Sequence, residues 1–131
     1  MRILPVASGK GGVGKTLLAA NLAIALAQAG KRVVLADLDL GGSNLHLVLG
    51  VRGVGQGIGL LLNNPSTTFD DILIQTEYDG LTFVAGDAEI PGIANLAAAQ
   101  KNMLIRRLAK LDADYVVLDL GAGTNFNILD F

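Results

Sequence analysis

The chain has 131 residues, enough for one domain, and its ten basic against twelve acidic residues leave a net charge of −2. Apolar residues make up 51% and aromatics only 5%, so Leu, Val, Ile and Ala fill the core, the profile of helices on a parallel sheet buried on both faces. The absence of cysteine excludes disulfides, cysteine zinc sites and cysteine-ligated iron–sulfur clusters within these residues, and the charge balance carries no global basic signature for nucleic acid.

Residues 2–8 form a short β-rich run that ends in small residues and then glycines, which reads as strand followed by loop. This apolar run breaks at Ser8-Gly9-Lys10, too short for a signal-sequence core, and no stretch reaches the ~18 apolar residues of a membrane span. The expected location is therefore cytoplasmic. From Lys15 to Ala29 the chain is apolar nearly all round, so a largely buried helix is expected, stopped by Gly30. Residues 31–37, "KRVVLAD", read as a buried strand. Strand, helix and strand in succession make a βαβ unit, whose right-handed crossover implies parallel strands.

The stretch 41–59 is rich in glycine; residues 57–62 open a short helix that "NNPS" closes. Short strands around Ile72–Gln75 and Leu81–Ala85 flank the turn "EYDG". Over residues 95–111, Leu96, Met103, Leu104, Leu108 and Leu111 recur at helical spacing. Arg106 and Arg107 are expected on that helix's solvated face. "DYVVLDLGAG" then gives another buried strand running into glycines, with Tyr115 in the strand and Tyr78 in the turn.

Three motifs carry chemistry. Gly9-Lys10-Gly11-Gly12-Val13-Gly14-Lys15-Thr16 fits G-x-x-x-x-G-K-[ST] between a strand and a helix. Its glycines let backbone N–H groups converge on phosphate oxygens at a helix amino terminus. Lys15 would reach the β- and γ-phosphates, and the Thr16 hydroxyl would ligate Mg²⁺. "ADLDLGGSN" sets Asp37 and Asp39 at the end of the second strand, where acids beside phosphate can hold the metal shell or position water. Asp39 is the stronger candidate for hydrolysis, and Asp37 lies nearer the metal. "VVLDLGAG" ends a hydrophobic strand in Asp119, placed to hold Mg²⁺, with Gly121 two residues on to let backbone approach the γ-phosphate.

The same glycines also spell Gly9-x-Gly11-x-x-Gly14, the dinucleotide fingerprint, with Asp37 as the ribose acid of an NAD(P)-binding oxidoreductase domain. On that reading Lys15-Thr16 would be superfluous, and Asp39 and Asp119 would share no task. A nucleotide-binding fragment without catalysis of its own is the third alternative. His46, the one histidine, sits between Leu45 and Leu47 and reads as a packed or surface residue rather than a ligand.

"SGKGGVGKT", "ADLDLGGSNLHLVLGV" and "DADYVVLDLGAGT" together resemble the MinD/ParA family of deviant-Walker ATPases, closest to the branch of MinD and the flagellar-number regulator FlhG. The resemblance runs over nearly the whole chain. It implies a three-layer α/β/α P-loop fold with a parallel sheet, binding ATP and Mg²⁺. It implies that Lys10 is the signature lysine that reaches the partner's phosphates in an ATP-bound homodimer, and that Lys15 and Thr16 are the phosphate lysine and the Mg²⁺ ligand. Asp39 then matches the switch I acid needed for hydrolysis, Asn44 a polar switch I position near the dimer interface, and Asp119 and Gly121 switch II. A protein activator of hydrolysis would set the timing. Family domains are roughly twice this length. The resemblance therefore makes residues 1–131 the amino-terminal part of one P-loop domain, and assigns any membrane or DNA surface to the carboxyl-terminal half.

Overall fold

The computed structural model describes residues 1–6, 13–38, 57–64, 66–86 and 98–120, apart from the side chains at 13, 15, 62, 63, 98 and 101. Within them, strands β1 (Arg2–Val6), β2 (Val33–Leu38), β3 (Leu73–Gln75), β4 (Leu81–Val84) and β5 (Tyr115–Leu120) alternate with helices α1 (Val13–Gln28), α2 (Ile58–Asn63) and α3 (Ala98–Leu108). One sheet holds all five strands in the order β1-β5-β2-β4-β3. Four run parallel, and β3 pairs antiparallel with β4 through the turn at residues 76–80. The antiparallel edge strand is an addition to the expected parallel sheet. A short hairpin connection can join only antiparallel neighbours.

Right-handed crossovers decide which helix lies on which face. The β1-to-β2 connection moves one way along the sheet and the β4-to-β5 connection moves back, so α1 and α3 take opposite faces. The packing agrees. Val34, Ala36, Leu38, Val116, Leu118 and Leu120 meet Ile58 and Leu61 of α2 and Leu104 and Leu108 of α3. Val33, Leu35, Val117, Leu81 and Phe83 meet Ala19, Ala20, Ala23 and Ala27 of α1.

The helix α1 corrects one expectation. Its alanines face the sheet, while Leu17 and Leu18 are 41% and 60% exposed. Small side chains let the helix axis approach the sheet closely; Leu17 and Leu18 are turned outward, while Leu22, Ile24 and Leu26 are partly buried against the same cluster. An all-round apolar sequence thus yields a helix buried on one face only. Gly30 ends the helix at φ +86, as expected of a residue that must turn left-handed. Arg106 is exposed as expected, but Arg107 is half-buried and donates to the Thr67 carbonyl at 2.6 Å, tying α3 to the segment before β3. No helix among the described residues is long and apolar enough to cross a membrane.

Pro5 suits its place. The Arg2 N–H donates to the Asp114 carbonyl at 3.0 Å, so in the parallel ladder the alternate residues Arg2, Leu4 and Val6 turn their backbone groups toward β5. Pro5 therefore turns its missing donor toward the outer side of β1, where no described strand pairs.

At the amino ends of the strands an ionic clasp joins β2 to β5. Arg32 meets Asp112 at 2.6 Å and Asp114 at 3.6 Å, and its backbone N–H donates to Asp114 at 2.8 Å. That backbone hydrogen bond, with the guanidinium behind it, holds the Asp114 carboxyl below its ordinary pKa, whereas Asp112 first and Asp114 second push the Arg32 guanidinium up.

Two outcomes follow from this packing. Leu118→Ala, at a fully buried site, should cost about 2–5 kcal/mol in denaturant unfolding. Leu18→Ala should stay within about 0.5 kcal/mol. Because the folded-state pKa of Asp114 is lowered, its contribution is present above the unfolded value and is lost as pH falls through the folded one. The stability lost between pH 7 and about pH 3 should therefore be smaller in Asp114→Asn than in the wild type.

Candidate functional site

Parallel strands place their carboxyl ends on one edge of the sheet, and the connections that leave that edge form the binding crevice of open α/β folds. Here Val6, Asp119 and Asp37 are in-register partners across β1, β5 and β2. Side chains alternate along a strand. Asp37 therefore falls on the same face as Val33 and Leu35, and Asp119 on the same face as Val117. That is the α1 face. Both carboxylates are buried, each 1% exposed, on strands one spacing apart, about 4.8 Å.

Thr16, in the first turns of α1, the helix that covers this face, is likewise buried. Among the described residues the buried polar side chains are Thr16, Asp37, Thr67 and Asp119, and three of these four come from the phosphate-loop and strand-end motifs. Thr67 lies elsewhere, beside Arg107. Burial of like charges on neighbouring strands is costly unless other groups offset it. Asp37 and Asp119 each have an interaction partner within the protein.

The donor set is a hydroxyl and two carboxylates, all oxygen, which suits a hard cation such as Mg²⁺ and no soft metal. No cluster of three or more His, Cys, Asp or Glu occurs among the described residues. A site with two acids fits an ion that keeps water and phosphate in its shell. Gly14 is exposed on the first turn of α1, and a Cβ built there would meet no atom within 4 Å. Packing therefore does not require glycine at that position.

Of the residues singled out from sequence, Val13, Gly14, Lys15 and Thr16 lie in α1, Asp37 in β2 and Asp119 in β5. Gly9, Lys10, Gly11, Gly12, Asp39, Asn44, His46 and Gly121 lie outside the described residues. Asp37 and Asp119 are brought level on neighbouring strands. Sequence reading missed Gly57, whose backbone meets the end of β4 beside this edge. The signal available for it was a glycine opening an apolar run. A cleft of about 510 Å³ lies away from these carboxylates, lined by Thr67, Phe69, Arg107, Lys110 and Leu111 near the amino end of β5. It mixes both signs of charge and contains none of the motif residues.

Comparison with known proteins places the chain in a family. The CobQ/CobB/MinD/ParA nucleotide-binding domain matches residues 4–117. The septum site-determining protein MinD of Synechocystis is 38% identical over 135 residues, 93% of this chain and 46% of that protein. The antiactivator FleN of Pseudomonas aeruginosa is 30% identical over 133 residues, all of this chain and 46% of that one. The structure of MinD from Pyrococcus horikoshii complexed with Mg-ADP superposes with a TM-score of 0.79 at 31% identity, over 94% of this chain and 50% of that one. The chain thus spans about half the length of the relatives it matches. With its P-loop architecture, its strand-end acids in register and a family match over most of its length, the chain belongs to the CobQ/CobB/MinD/ParA nucleotide-binding family.

Proposed function

We propose that the protein is a Mg²⁺-dependent ATPase of the MinD/ParA type, acting as a dimerisation switch in positioning or regulation. The single observation that supports this best is the in-register, buried pair Asp37 and Asp119 at the carboxyl ends of β2 and β5. A dinucleotide-binding domain would present its strand-end acid to a ribose; Asp37 is instead buried level with a second acid, which favours metal-shell work. The P. horikoshii relative is complexed with Mg-ADP.

On this reading the backbone of Gly9–Gly14 and the Lys15 ammonium bind the phosphates. Thr16, Asp119 and Asp37 are the residues that would hold Mg²⁺. Mg²⁺, when bound, neutralises charge on the β- and γ-phosphates. Asp39, which follows Leu38 at the end of β2, orients the attacking water and accepts its proton. Lys10 serves the partner's phosphates in an ATP-bound homodimer, as an arginine finger acts in trans. Asn44 and Gly121, in the sequence that follows β2 and β5, contact the nucleotide. Hydrolysis then releases the dimer, and a protein activator sets its timing. The activity is cytoplasmic.

The test is titration of the full-length protein with ATP, ADP and NAD in Mg²⁺ while its mass in solution is followed. ATP should convert monomer to dimer and NAD should not bind; tight NAD binding without ATP binding overturns the reading. Asp39→Ala should keep ATP binding, lose at least about 100-fold in hydrolysis and remain dimeric. Lys10→Ala should bind ATP as a monomer yet neither dimerise nor hydrolyse, and normal turnover in that variant would refute its role in trans.

A further inference from the structure

The sheet ends at β3, and no described strand pairs with its outer side. The Thr76 N–H donates to the Leu81 carbonyl at 3.4 Å, so Thr76 turns its backbone groups toward β4. Backbone direction alternates along an antiparallel ladder. In the register Leu73↔Val84, Ile74↔Phe83 and Gln75↔Thr82, Ile74 therefore also turns inward, while Leu73 and Gln75 turn their N–H and C=O groups outward. The strand is apolar on both faces yet only half covered. Leu73 packs against the cluster under α2 and α3 and Ile74 against the cluster under α1, and both are half-buried. On the α3 side a cleft of about 280 Å³ opens beside the strand, lined by Leu73, Gln75 and Thr82 of the sheet and by Asp70 and Leu111.

An open edge of this kind accepts an extended chain as its next strand, with main-chain hydrogen bonds for affinity and neighbouring side chains for selectivity. Charge decides which chain. Asp70 and Asp71 precede the strand, Glu77 and Asp79 follow it, and all four are exposed. No Lys, Arg or His occurs from residue 53 to residue 100. None of the four acids is ion-paired to a described residue; Arg32, which pairs with Asp112 and Asp114, stands on β2's side of β4. A second copy pairing β3 to β3 would set these acids against their own kind, which like charges across a strand pair oppose. A segment bearing Lys or Arg meets opposite charge at both ends of the strand.

We propose that the outer edge of β3 is a docking site for an extended, basic segment of a partner protein, which adds to the sheet as a further strand. The Leu73 and Gln75 N–H groups donate to its carbonyls, and their carbonyls accept from its N–H groups. Its side chains on the α3 side enter the cleft beside Gln75. Its cations face Asp70 and Asp71 at one end and Glu77 and Asp79 at the other. β4 lies between this edge and the strand that carries Asp37, so the docking site is separate from the carboxylates and does not rest on the ATPase reading.

The experiment uses the full-length protein with an alternating Lys-Val octapeptide and an alternating Glu-Val octapeptide, and reads amide hydrogen exchange residue by residue. In the free protein Leu73 and Gln75 should exchange faster than Ile74 and Thr76. Saturating Lys-Val peptide should slow Leu73 and Gln75 at least about tenfold and leave Ile74 and Thr76 nearly unchanged, and the Glu-Val peptide should bind at least about tenfold more weakly. Gln75→Pro removes an outward donor while sparing the β4 ladder, as edge strands tolerate. It should keep the melting temperature within about 4 °C and lose the peptide effect. If Gln75→Pro does not fold, the combined variant Asp70→Asn, Glu77→Gln, Asp79→Asn decides, and it should weaken Lys-Val binding at least about tenfold. Asp71 is kept in that variant because its carboxylate accepts from the Thr68 N–H at 2.8 Å. Equal affinity for the two peptides, unchanged exchange at Leu73 and Gln75, or undiminished binding by the neutralised variant overturns the inference. Protection of both amides in the free protein also overturns it. Protection that grows with protein concentration then assigns the edge to a second copy, and protection that does not assigns it to another segment of the same chain.

Discussion

Insertion of β5 between β1 and β2 is the constraint on which the rest of the arrangement depends. The first three elements, β1, α1 and β2, make a right-handed crossover that leaves a gap one strand wide, and the last described strand fills it. Only this pairing sets Asp119 level with Asp37, and sets both beside the end of β1, from which the phosphate loop departs. A register slip of one residue along β5 would turn Asp119 to the α2 and α3 face and put Leu118 or Leu120 in its place. The apolar partners of β5 oppose such a slip, because Val117 is buried on the α1 side while Val116, Leu118 and Leu120 are buried on the other.

The two ends of the sheet are built by different physics. At the amino ends, Arg32, Asp112 and Asp114 form an exposed ionic clasp that water screens and whose contribution is small. It aligns the starts of β2 and β5 without a large energetic commitment. At the carboxyl ends, two acids and a threonine are withdrawn from water, an expensive arrangement that a fold maintains only where other groups or a ligand repay it. The core between them is almost wholly aliphatic, so the polar groups that are buried stand apart clearly.

The phosphate-loop helix reconciles opposite demands on its two faces. Its inner stripe of Ala19, Ala20, Ala23 and Ala27 brings the helix close to the sheet, and Thr16 is buried in its first turns. Its outer residues Leu17 and Leu18 are then left in solvent. The same closeness recurs at Gly57 and Ala85, where absence of a side chain lets α2 begin against the end of β4.

Much of this was legible in the residues themselves. Periodicity located α1, α3, β2 and β5 to within a few residues, the spacing of Gly9 to Thr16 announced a phosphate loop, and Asp37 and Asp119 stood out as acids ending apolar strands. These are local signals, set by side-chain period and by the backbone needs of anion binding, so a linear string carries them. Three features required the tertiary structure. The sequence contains no statement that β5 pairs with both β1 and β2, because strand pairing joins residues 82 positions apart in one case and 113 in the other, and many orders satisfy the same apolar pattern. It could not say which side of an all-apolar helix faces inward, since α1 has too little polar contrast to orient it. It also left Gly57 indistinguishable from its neighbouring glycines, because its requirement is set by an ångström-scale approach to Ala85, a contact that exists only once β4 and α2 have met.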